Sequence, residues 1–248
     1  MSFDKIIIAD TETTGLSNED RVIQLALLVL NAQTYEVEES YCDLCNPKIP
    51  IKPGASKINK KTDDMLEDKP DIHETEAYKA LLKYNKPNNV LVFHNAFFDL
   101  YMLAKELFLI EMELVDTLTC SRYIYPTMER HKLETLVNMV NRNSVSQEHD
   151  ALSDCSMCKD LLSHMLSNNN INKLIQYTKS PIIGFGKHKG SVLSELAKEK
   201  PDYLDWLLKN YDNMDAPTRL VIKTIMYPST LDNTELKGLR YLSMHHFL

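Results

Sequence analysis

Lys5-Ile-Ile-Ile-Ala9-Asp10-Thr-Glu12-Thr-Thr-Gly15-Leu16 is an apolar, β-branched run that stops at two carboxylates and a turn. Branching at Cβ favours an extended chain, and the Thr-Thr-Gly segment reads as the turn that closes it. Side chains at i and i+2 of a strand share a face, so Asp10 and Glu12 point at one place. Two like charges so close repel unless a cation neutralises them, and hard oxygen ligands suit magnesium or manganese. Taken alone, Asp-Thr-Glu fits an exposed acidic turn that caps a strand equally well.

Outward from this stretch, Val22 to Leu30 reads as a second buried strand and Tyr35 to Cys45 as a third, more alternating one. Pro47, Pro50 and Pro53 then break regular structure. Glu74 to Tyr84 has helical spacing, Asn89 to His94 is a fourth strand, and a helix runs from about Ala96 to Leu107. A short strand near Leu114 and Val115 precedes helical stretches at Asp116 to Tyr123, His131 to Val140 and Asp150 to Leu166, with a further turn or two at Asn172 to Thr178. Three strands in succession, followed by alternating helices and strands, predict an α/β domain with a mixed sheet over residues 1–178. Composition then shifts: three of the chain's six glycines lie in Gly184-Phe-Gly186-Lys-His-Lys-Gly190. With helical Ser194 to Lys198 and Asp202 to Lys209 behind it, this cluster marks a smaller module over 180–248.

Two further segments bring titratable groups towards the first strand. His94-Asn95-Ala-Phe-Phe98-Asp99 follows a strand and opens a helix, with Asn95 placed as its cap and Asp99 one turn inside. Glu148-His149-Asp150-Ala-Leu-Ser-Asp154 puts another acid on a helix and a histidine just ahead of it. A histidine before a helix is by itself usually a cap or surface residue.

The ordered set Asp10-Thr-Glu12-Thr-Thr-Gly-Leu, His94-Asn-Ala-x-Phe-Asp99 and His149-x4-Asp154 resembles the three motifs of the DEDDh 3′–5′ exonucleases over residues 3 to 178. Arg21-Val-Ile-Gln24, Val115-Asp116-Thr117 and His131-Lys-Leu133 match the same family's habits. The resemblance implies a ribonuclease H-like fold: a mixed five-stranded sheet flanked by helices, plus a small, mainly helical C-terminal module with a Gly-rich β-turn. It also implies two Mg2+ or Mn2+ ions about 3.5–4 Å apart, held by Asp10, Glu12 and Asp154 with Asp99 assisting directly or through water. His149, whose ordinary pKa is about 6.5, would be the general base that deprotonates the attacking water. The expected products are nucleoside 5′-monophosphates released from a 3′ end.

For the terminal nucleotide, the same resemblance places Thr13, Thr14, Gly15 and Leu16 beside the 3′ hydroxyl. Ile58, Asn95 and Phe98 join them as strand contacts, although a core role suits Phe98 as well. In Ile58-Asn59-Lys60-Lys61-Thr62, asparagine replaces the family's common histidine and Lys60 its common glycine. Lys60 and Lys61 could meet phosphates or simply solubilise the loop. The later Gly-rich segment and Pro201-Asp-Tyr203-Leu-Asp-Trp206 resemble, less specifically, the C-terminal module of exodeoxyribonuclease X-like proteins. Contact of Lys187, His188 and Lys189 with phosphates competes there with a purely structural turn, and Trp206 is expected in the core.

Bulk composition narrows the classes. The 248 residues carry a net charge of −7, which argues against a protein that coats nucleic acid by neutralising its phosphates. It fits an enzyme whose acidic cluster holds metal. No apolar run is long enough to span a bilayer, and the N-terminus lacks the layout of a secretion signal, so a cytoplasmic protein is expected. Five cysteines read as free thiols. Cys42/Cys45 would face opposite ways on a strand, and Cys155/Cys158 share a helical face, which makes a four-thiolate zinc site a minor reading. The expected partner is a nucleic-acid 3′ end, single-stranded DNA first. RNA trimming is the alternative within the same chemistry. A polymerase-held proofreading subunit and a non-catalytic binding protein are the others. No polymerase-binding segment is recognisable, and four carboxylates with a histidine are more than binding alone requires.

Overall fold

The computed structural model describes residues 3–141, 150–211, 214 and 216–227. Strands β1 (Lys5–Thr13), β2 (Val22–Asn31) and β3 (Val37–Leu44) form an antiparallel meander. Helices α1 (Pro53–Asn59), α2 (Asp63–Leu66) and α3 (Glu76–Tyr84) lead to β4 (Asn89–Phe93) and α4 (Ala96–Lys105). Then come β5 (Glu113–Asp116), α5 (Thr117–Ile124), α6 (Leu133–Val140), α7 (Ala151–Leu166) and α8 (Ile171–Thr178). The sheet order is β3-β2-β1-β4-β5, with β4 parallel to both β1 and β5. This is the mixed five-stranded sheet flanked by helices that the motif order predicts.

Alternation along β1 decides which helix meets which residue. Ile6 and Ile8 join the core on the α7 side, with Cys155, Leu161 and Leu162. Ile7 and Ala9 join the core on the α4 side, with Ala96, Phe97 and Leu100. The Cys155 thiol lies against the carbonyls of Ile8 (3.7 Å) and Ala26 (3.5 Å), so α7 sits close on β1 and β2. Continuing the even-numbered row, Asp10 and Glu12 come out at the end of β1 facing α7, both only partly buried. A register shift follows Glu12, where β1 pairs with β2, and such a bulge re-aims the chain as it leaves the ladder.

The C-terminal region is built as a turn and helices. Ile182 and Val192 form an antiparallel bridge around the Gly-rich turn, and α9 (Leu193–Glu199), α10 (Pro201–Asn210) and α11 (Ala216–Met226) follow. Gly186 has φ 72°, and a Cβ there would lie 2.5 Å from the Tyr203 hydroxyl, so no larger residue fits this turn unchanged. Ile183, Leu193, Leu204, Leu207 and Val221 join the same apolar core as Ile7, Leu91 and α4. The compositional boundary near residue 180 is therefore not a break in packing.

Two local expectations change. Pro53 does not break the chain but starts α1 at its first turn, where its missing N–H is no loss and its fixed φ suits the helix. Trp206 is 52% exposed, whereas Leu204 and Leu207 are buried. Three-residue spacing puts those leucines on one face of α10, and Trp206 is turned about 100° away from Leu207. All five cysteines are free, with Cys42 exposed and the other four buried.

Candidate active site

β4 runs parallel to both β1 and β5; β4 and β5 end side by side at Phe93 and Asp116, level with the residue before Asp10 in β1, and the crevice beyond such ends is where open α/β sheets place ligands. Asp10 and Glu12 arrive from β1 and Asp154 from the first turn of α7. One oxygen of each can be chosen so that all three lie within 4.8 Å of one another. Among the described residues, this is the group of acidic, histidine or cysteine side chains arranged to hold a metal ion. Three carboxylates with hard oxygen donors suit a divalent cation. The electrostatics agree. Burial and the neighbouring Asp99, Asp154 and Glu12 carboxyls push the Asp10 carboxyl well above its ordinary range. Burial and Asp154 push Glu12 up to about 8, although Lys61 pulls the other way. A cation relieves that strain by favouring the charged forms.

Asp99 stands outside this group of three. Its Oδ1 accepts hydrogen bonds from the Thr11 amide (3.1 Å) and the Thr11 hydroxyl (2.7 Å). Burial pushes its carboxyl up to about 7, with the Thr11 bonds opposing. Thr11 faces the α4 side of β1, so this pair fixes the helix that carries Asp99 against the strand that carries Asp10. His149 lies outside the described residues.

Asn95 does not cap α4 with its side chain as expected; it adopts a left-handed φ of 77°. The cap comes from Asp116 at the end of β5. Its Oδ1 accepts the amides of Asn95 (2.8 Å), Ala96 (3.2 Å) and Leu118 (3.2 Å), and its Oδ2 accepts the Thr119 amide (3.1 Å) and hydroxyl (2.5 Å). One buried carboxylate thus satisfies the starts of both α4 and α5. Asp116→Ala is expected to cost about 2–4 kcal/mol of unfolding free energy, through two lost caps and stranded buried amides. Urea denaturation measures this, and a loss below about 0.5 kcal/mol would show that the helix starts do not depend on Asp116. His94 sits beside this junction, with Nε2 donating to the His131 carbonyl (3.0 Å) and Nδ1 2.9 Å from the Thr117 hydroxyl. Burial pushes its imidazole down to about 4, so it is neutral and structural.

The loop after Glu12 is organised by Asp20, which sequence reading passes over. Its carboxylate receives the Thr14 hydroxyl (2.9 Å), the Ser17 amide and hydroxyl (both 2.7 Å) and the Lys52 ammonium (2.7 Å). Burial would raise this carboxyl, but the bonds from Lys52, Ser17 and Thr14 outweigh it and hold the group well below the usual range. A Cβ at Gly15 would fall 2.6 Å from that carboxylate, so the glycine is there to let Asp20 in. Thr14 is fully buried, and its hydroxyl is committed to Asp20 and the Arg21 amide. Thr13 is also buried and donates to the Gly15 carbonyl (2.7 Å). These two threonines shape the loop from within. Leu16 and Ile58, by contrast, are 68% and 55% exposed. Phe98 is partly buried, packed against the α4-side core.

The second region closes against this end of the sheet. The Arg122 guanidinium donates to the Ile182 carbonyl (3.1 Å), and a Cβ at Gly184 would meet that guanidinium at 2.5 Å. Tyr123 donates to the Ser180 carbonyl (2.6 Å) and Lys189 to the Glu129 carbonyl (3.3 Å). A cavity of about 570 Å³ runs along this seam from Gly184 to Asp154.

Residues 7–162 match the model of the exonuclease family, and residues 183–212 match that of the exodeoxyribonuclease X-like C-terminal region. Exodeoxyribonuclease 10 of Escherichia coli strain K12 is 27% identical over 226 residues, covering 87% of this chain and 96% of its own. The DNA polymerase III subunit epsilon of Treponema pallidum is 31% identical over 185 residues, covering 70% of this chain and 83% of its own. Among solved structures, exonuclease X in complex with 5′ overhanging duplex DNA superposes with a TM-score of 0.55 at 24% identity, over 70% of this chain and 99% of that one. With its sheet, its carboxylate cluster and a family match over more than half its length, the chain belongs to the exonuclease family.

Proposed function

We propose that the chain is a metal-dependent 3′–5′ exonuclease that releases nucleoside 5′-monophosphates from the 3′ ends of DNA. The observation that carries this reading is the convergence of Asp10, Glu12 and Asp154 within 4.8 Å at the end of β1. Asp10, Glu12 and Asp154, assisted by Asp99, would hold two Mg2+ or Mn2+ ions, which when bound would supply Lewis-acid stabilisation of the charge that develops on the phosphate. The chain's own groups do the rest. Thr11 orients Asp99. Leu16 and Ile58 offer exposed apolar surface on which a terminal base or sugar can lie, and Asn95 and Phe98, both partly exposed, are the further strand contacts. His149 takes the proton of the attacking water, a role that rests on its place in the third motif.

DNA is favoured over RNA by the match of residues 183–212 to the exodeoxyribonuclease X-like C-terminal region. The 31% identity to a polymerase III epsilon subunit supports a second reading, in which the chain proofreads while held by a polymerase. The five free thiols suit the reducing cytoplasm, where we place the activity. Incubation with 3′-labelled single-stranded DNA and Mg2+ is expected to release labelled mononucleotide at once. Duplex DNA and RNA of matched sequence are expected to react more slowly. His149→Ala should lower kcat by about 10²–10⁴-fold, the usual contribution of a general base. Faster turnover of RNA would move the substrate to the RNA-trimming alternative, and mononucleotide release from a 5′ label would overturn the direction.

A further inference from the structure

Lys61 is a cation inside an acidic site that none of the three motifs accounts for. Its side chain is only 12% exposed, unusual for a lysine without a dedicated partner. The partner is Asp150, whose Oδ1 lies 3.2 Å from Nζ and also accepts a hydrogen bond from Gln24 Nε2 (2.9 Å). Gln24 pairs with Glu12 across β1 and β2, and its Oε1 accepts the Ala151 amide (3.4 Å) at the start of α7. Asp150 immediately precedes α7, and Asp154 lies in the helix's first turn.

The backbone that presents Lys61 is fixed at several points. Asn59 is buried; its Nδ2 donates to the Thr13 carbonyl (3.2 Å), and its Oδ1 accepts the Lys61 amide (3.0 Å). The Ser56 hydroxyl donates to the Lys61 carbonyl (2.7 Å). Lys60 between them takes a left-handed φ of 57°, a conformation that costs a non-glycine residue energy and persists only where its surroundings hold it. The loop is thus tied to the residue after Glu12 on one side, and its ammonium reaches the start of α7 on the other.

We propose that Lys61 is a positioning residue, a latch whose ion pair with Asp150 holds the first turn of α7, and with it Asp154, in register with Glu12 and Asp10. This rests on reading those three carboxylates as a metal site. Two physical effects of Lys61 on a bound divalent ion have opposite signs. As a bare charge it repels the ion, so its removal should tighten binding. As a latch it assembles the ligands, so its removal should weaken binding, by about tenfold on the scale typical of groups that support metal ligands.

Mn2+ titration of the full-length chain without substrate, by calorimetry or by the loss of free-ion spin resonance signal, separates them. Lys61→Met is expected to raise the Mn2+ Kd about tenfold, whereas Lys61→Arg, which can still reach Asp150, stays near wild type. In the nuclease assay, Lys61→Met should lower kcat at limiting metal while KM for the strand is unchanged. Tighter or unaltered Mn2+ binding in Lys61→Met overturns the latch, as does a raised KM with unaltered Mn2+ affinity, which would make Lys61 a phosphate contact. Because the Mn2+ arms contain no nucleic acid, a chain that binds the ion but cleaves no strand defeats the nuclease reading and leaves the latch testable.

Discussion

Asp10→Asn is expected to abolish mononucleotide release, with kcat/KM falling on the order of a thousandfold or more. Asp10 is the residue common to both sides of the cluster. Its carboxyl is within reach of Glu12 and Asp154, and it feels Asp99 more strongly than any other charged neighbour. An amide keeps the shape but loses the negative charge, and several kcal/mol of stabilisation of the developing charge go with it; each 1.36 kcal/mol is a factor of about ten. The same change removes the ionisable group that burial and the neighbouring Asp99, Asp154 and Glu12 carboxyls disfavour in charged form, so the metal-free variant should melt higher than wild type at pH 8. Retention of more than about a tenth of wild-type activity, roughly 1.4 kcal/mol, would sink the assignment. A lower melting temperature would show that Asp10 is instead a structural hydrogen-bonding group.

Removing divalent metal has an equally large expected effect, and one that depends on pH. EDTA should abolish hydrolysis outright, and excess Mg2+ should restore it. The metal-free fold should then lose stability as pH rises. Glu12 titrates at about 8 and Asp99 at about 7 in the folded chain, and Asp10 is raised as well. Unfolded carboxyls titrate near 4. Between these values the folded state binds more protons than the unfolded one, so unfolding free energy falls with increasing pH across roughly pH 4 to 8. Divalent ions compete for the same oxygens and should reverse the loss, more at pH 8 than at pH 6. At a hundredfold excess over Kd the gain is about 2.7 kcal/mol, or about 5–10 °C in melting temperature for a chain of this size. Thermal melts with and without Mg2+ at the two pH values test this. A metal-free protein that grows more stable from pH 5 to 8 would contradict it.

The parts of this site that follow a short-range rule were legible in the sequence. Asp10 and Glu12 share a face because strand periodicity requires it, and the even-numbered register of β1 carries them towards α7. Asp99 and Asp154 could be placed on helices, and the resemblance to known motifs implied that they meet. What stayed hidden depends on groups distant in sequence. Asp116 reads as the start of one helical stretch, and nothing nearby reveals that the start of α4 converges on it as well. Asp20 sits in an ordinary polar turn until Gly15 and Lys52 are seen to close around it. Lys61 reads as a surface lysine because its burial comes from α7, 89 residues further on. Pro53 and Trp206 depart from the sequence expectation for opposite reasons. A helix-initiating proline is identical in sequence to a breaking one, and an aromatic next to leucines need not share their face.

The shared core described for the C-terminal region changes what a deletion can teach. Ile183, Leu193, Leu204, Leu207 and Val221 occupy the same packed layer as α4, the helix that carries Asp99. Cutting the chain near residue 178 would leave that layer without its outer wall and set α4 against water. Any activity lost by such a fragment would report a loosened catalytic helix as readily as a missing contact with nucleic acid. The role of the Gly-rich turn is therefore a question for surface substitutions at Lys187 and Lys189, both exposed, rather than for truncation.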